Sequence, residues 1–376
     1  MTVYLILAAV TCGLAFLVVE KCHTEYPESP SLLERGKSRV RSRNALVQIV
    51  IFLALFLVSA CRHGIGHDYT EYVSVFSLIS QNRYVSTEEG FNMVVRLCQW
   101  IFGPENYIII FALFAFVTIW LFMVAMYEQS EHYGWTFFLF MTLGYYLSTF
   151  NTIRYYLVLA IALFSIQYIF RKEYVKFVFC ILVASCFHMA VLFVLLAYPM
   201  ALIKWNKITI PLVALFTGSL LLFPDFYRWI IFKFYPFYEG SVYDTGETSV
   251  INILRCAAVL VFALIFYKKA LKGNKKNMFY FNLNLEALIL YACCSFIPVI
   301  SRIGYFLNIS QILLIPAVLS SIEKKWVRRV FTVLVVIAGL AYFYLFLESG
   351  KDRGNFIVPY YNWILNYEET LYRVDV

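Results

Sequence analysis

Apolar stretches long enough to cross a membrane recur along nearly the whole chain. Twelve can be distinguished, at about 2–19, 45–60, 106–126, 135–150, 152–170, 174–187, 189–203, 208–223, 249–267, 280–299, 304–320 and 330–347. A helix needs about 20 apolar residues to span the hydrocarbon core of a bilayer. Because 62% of the 376 residues are hydrophobic and only 14% are charged, little chain remains for a soluble domain. The sequence predicts an all-α, polytopic integral membrane bundle of about twelve helices, forming a single domain over 1–376.

The sixth and seventh stretches meet at His188, where 174–203 could instead form one long span or a re-entrant hairpin.

The orientation of the chain in the membrane follows from the basic residues, since cytoplasmic loops of membrane proteins are enriched in Lys and Arg. Alternate connections, beginning with 20–44, hold 20 of the 31 basic residues. We therefore expect both termini outside, and we assign the net charge of +8 to orientation rather than to nucleic-acid binding. No small-residue cleavage site follows the first stretch, which is expected to remain as the first span.

Three external segments are predicted, at about 61–105, 224–248 and 348–376. They mix aromatic and polar residues at helical spacing, which is typical of amphipathic helices in the headgroup layer. Two interpretations are open: an aromatic belt that anchors the bundle, or a lid or glycan platform over a central cavity.

Cofactor motifs are missing from the sequence. It contains no phosphate-binding loop and no dinucleotide fingerprint, so neither ATP nor NAD is implied. Most of the nine cysteines fall inside predicted spans, and none forms a CxxC or Cys/His metal spacing. We expect no metal and no cofactor.

Three arginines occupy costly positions at the predicted outer ends of helices: Arg154, Arg255 and Arg302. These ends are helix N-termini, which carry partial positive charge and therefore disfavour a cation but favour an anion. The guanidinium group also matches phosphate oxygens bidentately. The pattern predicts an outward-facing phosphate or pyrophosphate site. The alternative is that each arginine snorkels or pairs with a carboxylate, for which the candidates include Asp68, Glu71, Asp244 and Glu247.

Asp68 and His188 are candidates for proton chemistry on the same face. Asp68 heads an amphipathic run and could equally serve as the N-cap of an external helix. His188 lies between two apolar runs, where an imidazole needs water, a protein partner or a substrate. Arg62 and His63 follow the second span at its C-terminus, where positive charge suits the helix dipole, and we interpret them as structural.

Five stretches in order resemble the EpsG family of bacterial membrane proteins, a branch of the Wzy-type exopolysaccharide and O-antigen polymerases. They are GHDYTEYVSVF, EEGFNMVVRL, NTIRYYLVLAIALFSIQYIFRKEYVKF, LVASCFHMAVLF and SRIGYFLNISQILLIP, which together extend over about 64–316. The family's usual Gly-Thr-Asp-Tyr, Ile-Arg-Gln and Phe-His-x-Ser are here Gly66-His67-Asp68-Tyr69, Ile153-Arg154-Tyr155 and Phe187-His188-Met189-Ala190. The charged positions match, whereas the Gln and the Ser are replaced.

The resemblance implies a GT-C-like glycosyltransferase in the bacterial inner membrane that joins undecaprenyl-pyrophosphate-linked oligosaccharide units on its outer face. It implies Asp68 or His188 as the catalytic base, and Arg154, Arg302 and Arg255 as ligands of the leaving pyrophosphate. Tyr69, Tyr72 and Tyr155 would contact the glycan. A flippase and a chain-length regulator of the same pathway are the expected protein partners. The alternatives are a flippase or other transporter of lipid-linked oligosaccharides, a membrane O-acyltransferase, and an O-antigen ligase.

Overall fold

The computed structural model of the chain is helical throughout the part it describes. It describes residues 1–19, 30–298 and 300–364, apart from 235, 237–238, 241–243, 245, 247 and 353–355. Within these ranges the only β-type pairing is an isolated antiparallel bridge between Arg62 and Asn362. The predicted all-α class is confirmed. Part of the connection 20–44, Glu247 and the end of the segment 348–376 lie outside the described residues.

Eighteen α-helices are described, and a 3-10 helix at Met189–Phe193 separates the ninth from the tenth. In chain order they are α1 (Thr2–Ala15), α2 (Pro30–Ala60), α3 (Tyr69–Ser80), α4 (Glu89–Phe102), α5 (Tyr107–Gln129), α6 (Tyr133–Thr142), α7 (Tyr145–Ser148), α8 (Ile153–Phe170), α9 (Tyr174–Ser185), α10 (Val194–Met200), α11 (Thr209–Leu222), α12 (Pro224–Phe234), α13 (Val250–Ile265), α14 (Tyr267–Ala270), α15 (Lys275–Cys293), α16 (Ile300–Asn308), α17 (Gln311–Ser320) and α18 (Lys325–Asp352). Each predicted span coincides with one or two of these helices, and the predicted external segments contain α3, α4 and α12.

Five helical stretches of the described chain are long and apolar enough to cross a membrane. They are Arg41–Ala60, Tyr107–Gln129, Ile153–Phe170, Ile300–Ser320 and Lys325–Lys351. The pair Thr209–Leu222 and Pro224–Lys233, bent by 85°, makes a sixth if it counts as one span. The chain is therefore a membrane protein. Several other helices at predicted spans, such as α1 with its 14 residues, are short for a bilayer of about 30 Å, and the count of twelve and the external termini stay predictions.

One break between helices falls inside a predicted span, and another falls between two predicted spans. The stretch 135–150 divides into α6 and α7 at Gly144, which has a φ of +78° and at which an added Cβ would lie 3.0 Å from the ring of Phe346. Such a backbone conformation favours glycine and ends a helix. At the second position, α9 ends at Ser185 and the 3-10 helix begins at Met189. His188 therefore lies in a break between helices, where the sequence placed the boundary.

The described chain divides into two compact units. The first contains residues 1–167, 182–189 and 329–376, and the second contains 168–181 and 190–328. In the first unit α2 packs along α5, and α1 packs against α2 and α6. In the second unit α15 is central and contacts α10, α11, α13, α16 and α17. The prediction of a single domain is not decided by this division.

An aromatic core in the first unit supports the helices α3 and α4. Its buried members include Tyr69, Tyr72, Phe76, Phe91, Phe111 and Phe114. The ring of Tyr69 stacks on Phe111 with centroids 4.5 Å apart, and Phe91 packs on Phe114 at 5.2 Å. Because large aromatic side chains bury much apolar area, this core holds α3 and α4 against α5.

Candidate functional site

The loop that leads into α3 carries Asp68 and is shaped by Gly66. This glycine has a φ of +108°, and a Cβ added to it would overlap the carbonyl oxygen of Phe150. The next residue, His67, donates its backbone N–H to Oδ1 of Asn151 at 3.0 Å. Glycine is required at position 66 because of its positive φ and because a Cβ would not fit there. The hydrogen bond from His67 attaches the loop to the turn just before α8.

The C-terminal strap, residues 356–364, lies on the other side of this loop. Three backbone hydrogen bonds join them: Gly66 N to Phe356 O (3.1 Å), His63 N to Tyr361 O (3.1 Å) and Trp363 N to Cys61 O (3.2 Å). The strap is also tied to α1 and α2, since the Tyr4 hydroxyl donates to Ile357 O and the Tyr360 hydroxyl donates to Val58 O. The loop with Asp68 is therefore fixed from two sides.

Asp68 occupies the N-cap position of α3, but its carboxylate makes no capping hydrogen bond. Its Oδ2 instead accepts a hydrogen bond of 3.0 Å from the hydroxyl of Thr152, the residue that precedes α8. The N-terminus of α8 is an electrostatically favourable place for a carboxylate. Asp68 is therefore the N-cap residue of α3, as the sequence allowed, but Thr152 holds its carboxylate toward α8 in place of a side-chain capping bond.

Arg154 lies in the first turn of α8, as predicted, and is largely buried. Its NH1 pairs with Oε2 of Glu88, and its Nε donates to the hydroxyl of Tyr72 at 3.4 Å. The guanidinium lies 5.3 Å from the ring centroid of Phe91. The carboxylate that pairs with Arg154 is therefore Glu88 and not one of the predicted candidates Asp68, Glu71, Asp244 and Glu247.

Glu88 also connects the site to His188. Its Oε1 accepts a hydrogen bond of 3.1 Å from the backbone N–H of Met189. The ring of His188 packs edge-on against Tyr155 in the first turn of α8, with centroids 5.6 Å apart. Asp68, Arg154 and His188 are therefore linked within one unit, through Thr152, Glu88 and Tyr155.

The three tyrosines expected to contact glycan are core residues in this structure. Tyr69, Tyr72 and Tyr155 are each buried, with at most 5% of their surface exposed. Burial raises the pKa of Tyr72, nearby Asp68 raises it further, and Arg154 opposes both. The Tyr72 hydroxyl stays neutral and serves as the acceptor for Nε of Arg154. In the described structure these rings support the site rather than present a stacking surface.

Arg255 and Arg302 belong to the second unit. Arg255 lies in the second turn of α13, whose N-cap Ser249 accepts a hydrogen bond from the backbone N–H of Asn252. Arg302 lies in the first turn of α16 and is half-buried. The candidate partner Asp244 is taken by Arg228, at 2.6 Å. A phosphate site shared by the three arginines stays a prediction.

Arg62 is the largest fully buried side chain among the described residues. Its NH1 donates to the Ser59 carbonyl oxygen at 2.8 Å, and its guanidinium lies between the rings of Phe111 and Phe150. The cation therefore lies at the carbonyl end of α2, as the structural interpretation of Arg62 predicted.

The sequence analysis did not identify Glu88. Its only signal in the sequence is an acidic residue just before an amphipathic helix.

Fold and site together define a helical membrane protein that places a carboxylate and a paired guanidinium at one helix N-terminus. The chain belongs to the EpsG family, whose family model matches residues 46–362. This match includes Asp68, Glu88, Arg154 and His188, and it confirms the resemblance seen in the sequence. No curated protein and no solved structure matches the chain, so the GT-C-like fold stays a prediction.

Proposed function

We propose that this protein is a polysaccharide polymerase, a glycosyltransferase of the bacterial inner membrane. It joins undecaprenyl-pyrophosphate-linked oligosaccharide repeat units on the outer face of that membrane. Membership of the EpsG family supports a role in exopolysaccharide synthesis. One observation carries the proposal: a proton acceptor, Asp68, and a cation, Arg154, are both fixed at the N-terminal end of α8.

The proposed reaction transfers a growing glycan from its pyrophosphate carrier to another lipid-linked unit. The acceptor hydroxyl oxygen attacks the anomeric carbon, and its proton passes to a base. The bond between the anomeric carbon and the pyrophosphate oxygen breaks, with its electron pair leaving on that oxygen. The products are the lengthened lipid-linked glycan and undecaprenyl pyrophosphate.

Asp68 is the proposed base. A carboxylate can accept the proton of an acceptor hydroxyl when it is held within hydrogen-bond reach. The Thr152 hydroxyl occupies Oδ2 and orients the group, so we assign the incoming proton to Oδ1. His188 is assigned to binding of phosphate or sugar, because its loop is tied to the arginine through Glu88.

Arg154 and the N-terminus of α8 stabilise the leaving group. Negative charge develops on the pyrophosphate as the glycosidic bond breaks, and fixed positive groups stabilise that charge without a metal. The first backbone N–H groups of a helix reinforce an arginine placed beside them. Arg255 and Arg302 complete the proposed set of pyrophosphate ligands, and a flippase and a chain-length regulator are the proposed protein partners.

The test uses purified protein and lipid-linked repeat units extracted from cells that lack this chain. The unmodified protein should convert single units into a ladder of polymers. Asp68→Asn should lower turnover by about a hundredfold or more, since general bases contribute about 10²–10⁴. Glu71→Gln, which alters an exposed carboxylate in the first turn of α3, is the matched control and should retain activity.

The proposal would be overturned if the folded, unmodified protein formed no polymer. Wild-type turnover in Asp68→Asn would overturn it as well. The same reactions discriminate the alternatives by product: a flippase moves intact units across liposomes without joining them, an O-antigen ligase needs lipid A core as acceptor, and an O-acyltransferase needs an acyl donor.

A further inference from the structure

One carboxylate holds together three separate segments of the candidate site. Glu88 precedes α4, and its Oε2 pairs with NH1 of Arg154 in the first turn of α8. Its Oε1 accepts the backbone N–H of Met189 at 3.1 Å, directly after His188. Both carboxylate oxygens are therefore used, each on a different segment.

This ion pair differs from an ordinary surface pair. The side chains of Arg154 and Glu88 are only 18% and 19% exposed. The guanidinium is also flanked by the rings of Phe91 and Tyr72. The neighbouring pair Arg96–Glu89, at 48% and 65% exposure, provides the comparison. Solvent screens such an exposed pair, whereas a partly desolvated arginine depends on its partner for charge compensation and for orientation.

The backbone around Glu88 is arranged to aim its carboxylate. The turn before α4 is fixed by Asn92, whose Nδ2 donates to Thr87 O at 3.0 Å. Two residues beyond Glu88, Gly90 packs so tightly on the loop after α9 that an added Cβ would lie 2.6 Å from the carbonyl oxygen of Cys186. The start of α4 and the His188 loop therefore form one rigid junction, with Glu88 directed across it at Arg154.

We propose that Glu88 is a positioning residue that orients Arg154 and the His188 loop as a single element of the pyrophosphate site. The proposal rests on the proposed function. Small errors in the placement of a phosphate-binding arginine are costly, because stabilisation of a leaving group requires preorganised charge. Glu88 provides this preorganisation for the arginine through its charge and for the loop through its hydrogen bond.

The experiment measures kcat and KM for polymer formation by Glu88→Gln, Arg154→Lys and the double variant. Glu88→Gln keeps the shape and the acceptor oxygen but removes the charge, and it should lower kcat by at least about tenfold. Its effect should be much smaller in the Arg154→Lys background, because lysine lacks the planar guanidinium that Glu88 orients. Glu89→Gln is the matched control on the exposed pair and should retain wild-type kcat.

Three outcomes would overturn the inference: wild-type kcat in Glu88→Gln, a full additional loss when it is combined with Arg154→Lys, or an equal loss in Glu89→Gln. If Glu88→Gln does not fold, Glu88→Asp takes its place, since it keeps the charge but withdraws it by one methylene. Asp at this position should lower kcat at an unchanged melting temperature, and wild-type kcat would again overturn the inference. Absence of polymer from the unmodified protein would instead contradict the proposed function.

Discussion

The hydroxyl of Thr152 donates a hydrogen bond of 3.0 Å to Oδ2 of Asp68, which joins the start of α8 to the start of α3. Replacing Thr152 by Val keeps the side-chain shape but removes the donor. Such a bond contributes about 1 kcal/mol, so turnover should fall by about fivefold as the carboxylate loses its orientation. Polymer formation per mole of folded protein measures the effect.

Thr152→Ser supplies the control, because it retains the hydroxyl and should stay close to wild type. In the Asp68→Asn background, Thr152→Val should cause little further loss. A fivefold loss that persists there would mean that Thr152 acts on turnover by a route other than Asp68, for example through the N-terminus of α8.

The helices of this chain were largely predictable from the sequence, because continuous apolar runs need helical hydrogen bonding inside a membrane. A helix occurs at each predicted position. The interruption at Gly144 was not predictable, because a single glycine in an apolar run reveals neither its positive φ nor its close approach to the ring of Phe346. That contact joins residues about 200 positions apart, and no local pattern reveals it.

The site was predictable only in part. The cost of placing Arg154 at a helix N-terminus predicted an anionic partner, either a phosphate or a carboxylate. The anion present in this structure is Glu88, which is 66 residues away along the chain. Aromatic residues were ambiguous for a related reason: Tyr69 and Tyr155 suit a glycan surface and a protein core equally well, and tertiary packing places them in the core.

A second prediction concerns Gly66, whose backbone conformation should be required for activity. Gly66→Ala would force a φ of +108° on a residue with a Cβ and would drive that Cβ into the Phe150 carbonyl. The loop must then move, so Asp68 is displaced and polymer formation should be lost. Gly64→Ala is the control, since Gly64 has a φ of +61° but no atom within 4 Å of an added Cβ, and it should cost only about 1–2 kcal/mol of stability.

The comparison is made on protein that elutes as a folded species in detergent. Loss of activity in Gly64→Ala equal to that in Gly66→Ala would show that positive φ alone matters. Retained activity in Gly66→Ala would contradict the assignment of Gly66 as the residue that positions the Asp68 loop.

The buried His63 should make the stability of the folded protein depend on pH. Its ring is buried beside Arg62 and packs near Tyr69 and Tyr107, and neither ring nitrogen has a hydrogen-bond partner among the described residues. Burial lowers the pKa of His63 below its ordinary value. The unfolded chain therefore binds a proton at a pH where the folded chain does not. Stability should be complete above about pH 6.5 and should be lost progressively as the pH falls below that value.

Melting temperatures in detergent between about pH 8 and about pH 5.5 measure this loss. His63→Asn removes the titrating group, so its melting temperature should depend less on pH over that range, whatever its absolute stability. Parallel curves for the two proteins would exclude His63 as the source of the pH dependence.

In the second unit, Gly304 of α16 packs directly on Tyr291 of α15. A Cβ added to Gly304 would overlap the phenol of Tyr291, which is fully buried and accepts a hydrogen bond of 3.1 Å from Nδ2 of Asn308. Gly304→Ala should therefore push α16 away from α15 and destabilise the protein by about 1–3 kcal/mol, the usual cost of overpacking a core. Gly218→Ala in α11 is the matched control, because no atom lies within 4 Å of its added Cβ. This control should melt at or slightly above the wild-type temperature, since alanine stabilises a helix interior by about 1 kcal/mol relative to glycine. Thermal unfolding in detergent distinguishes the two variants, and equal melting temperatures would show that α16 is free to move away from Tyr291 at no cost.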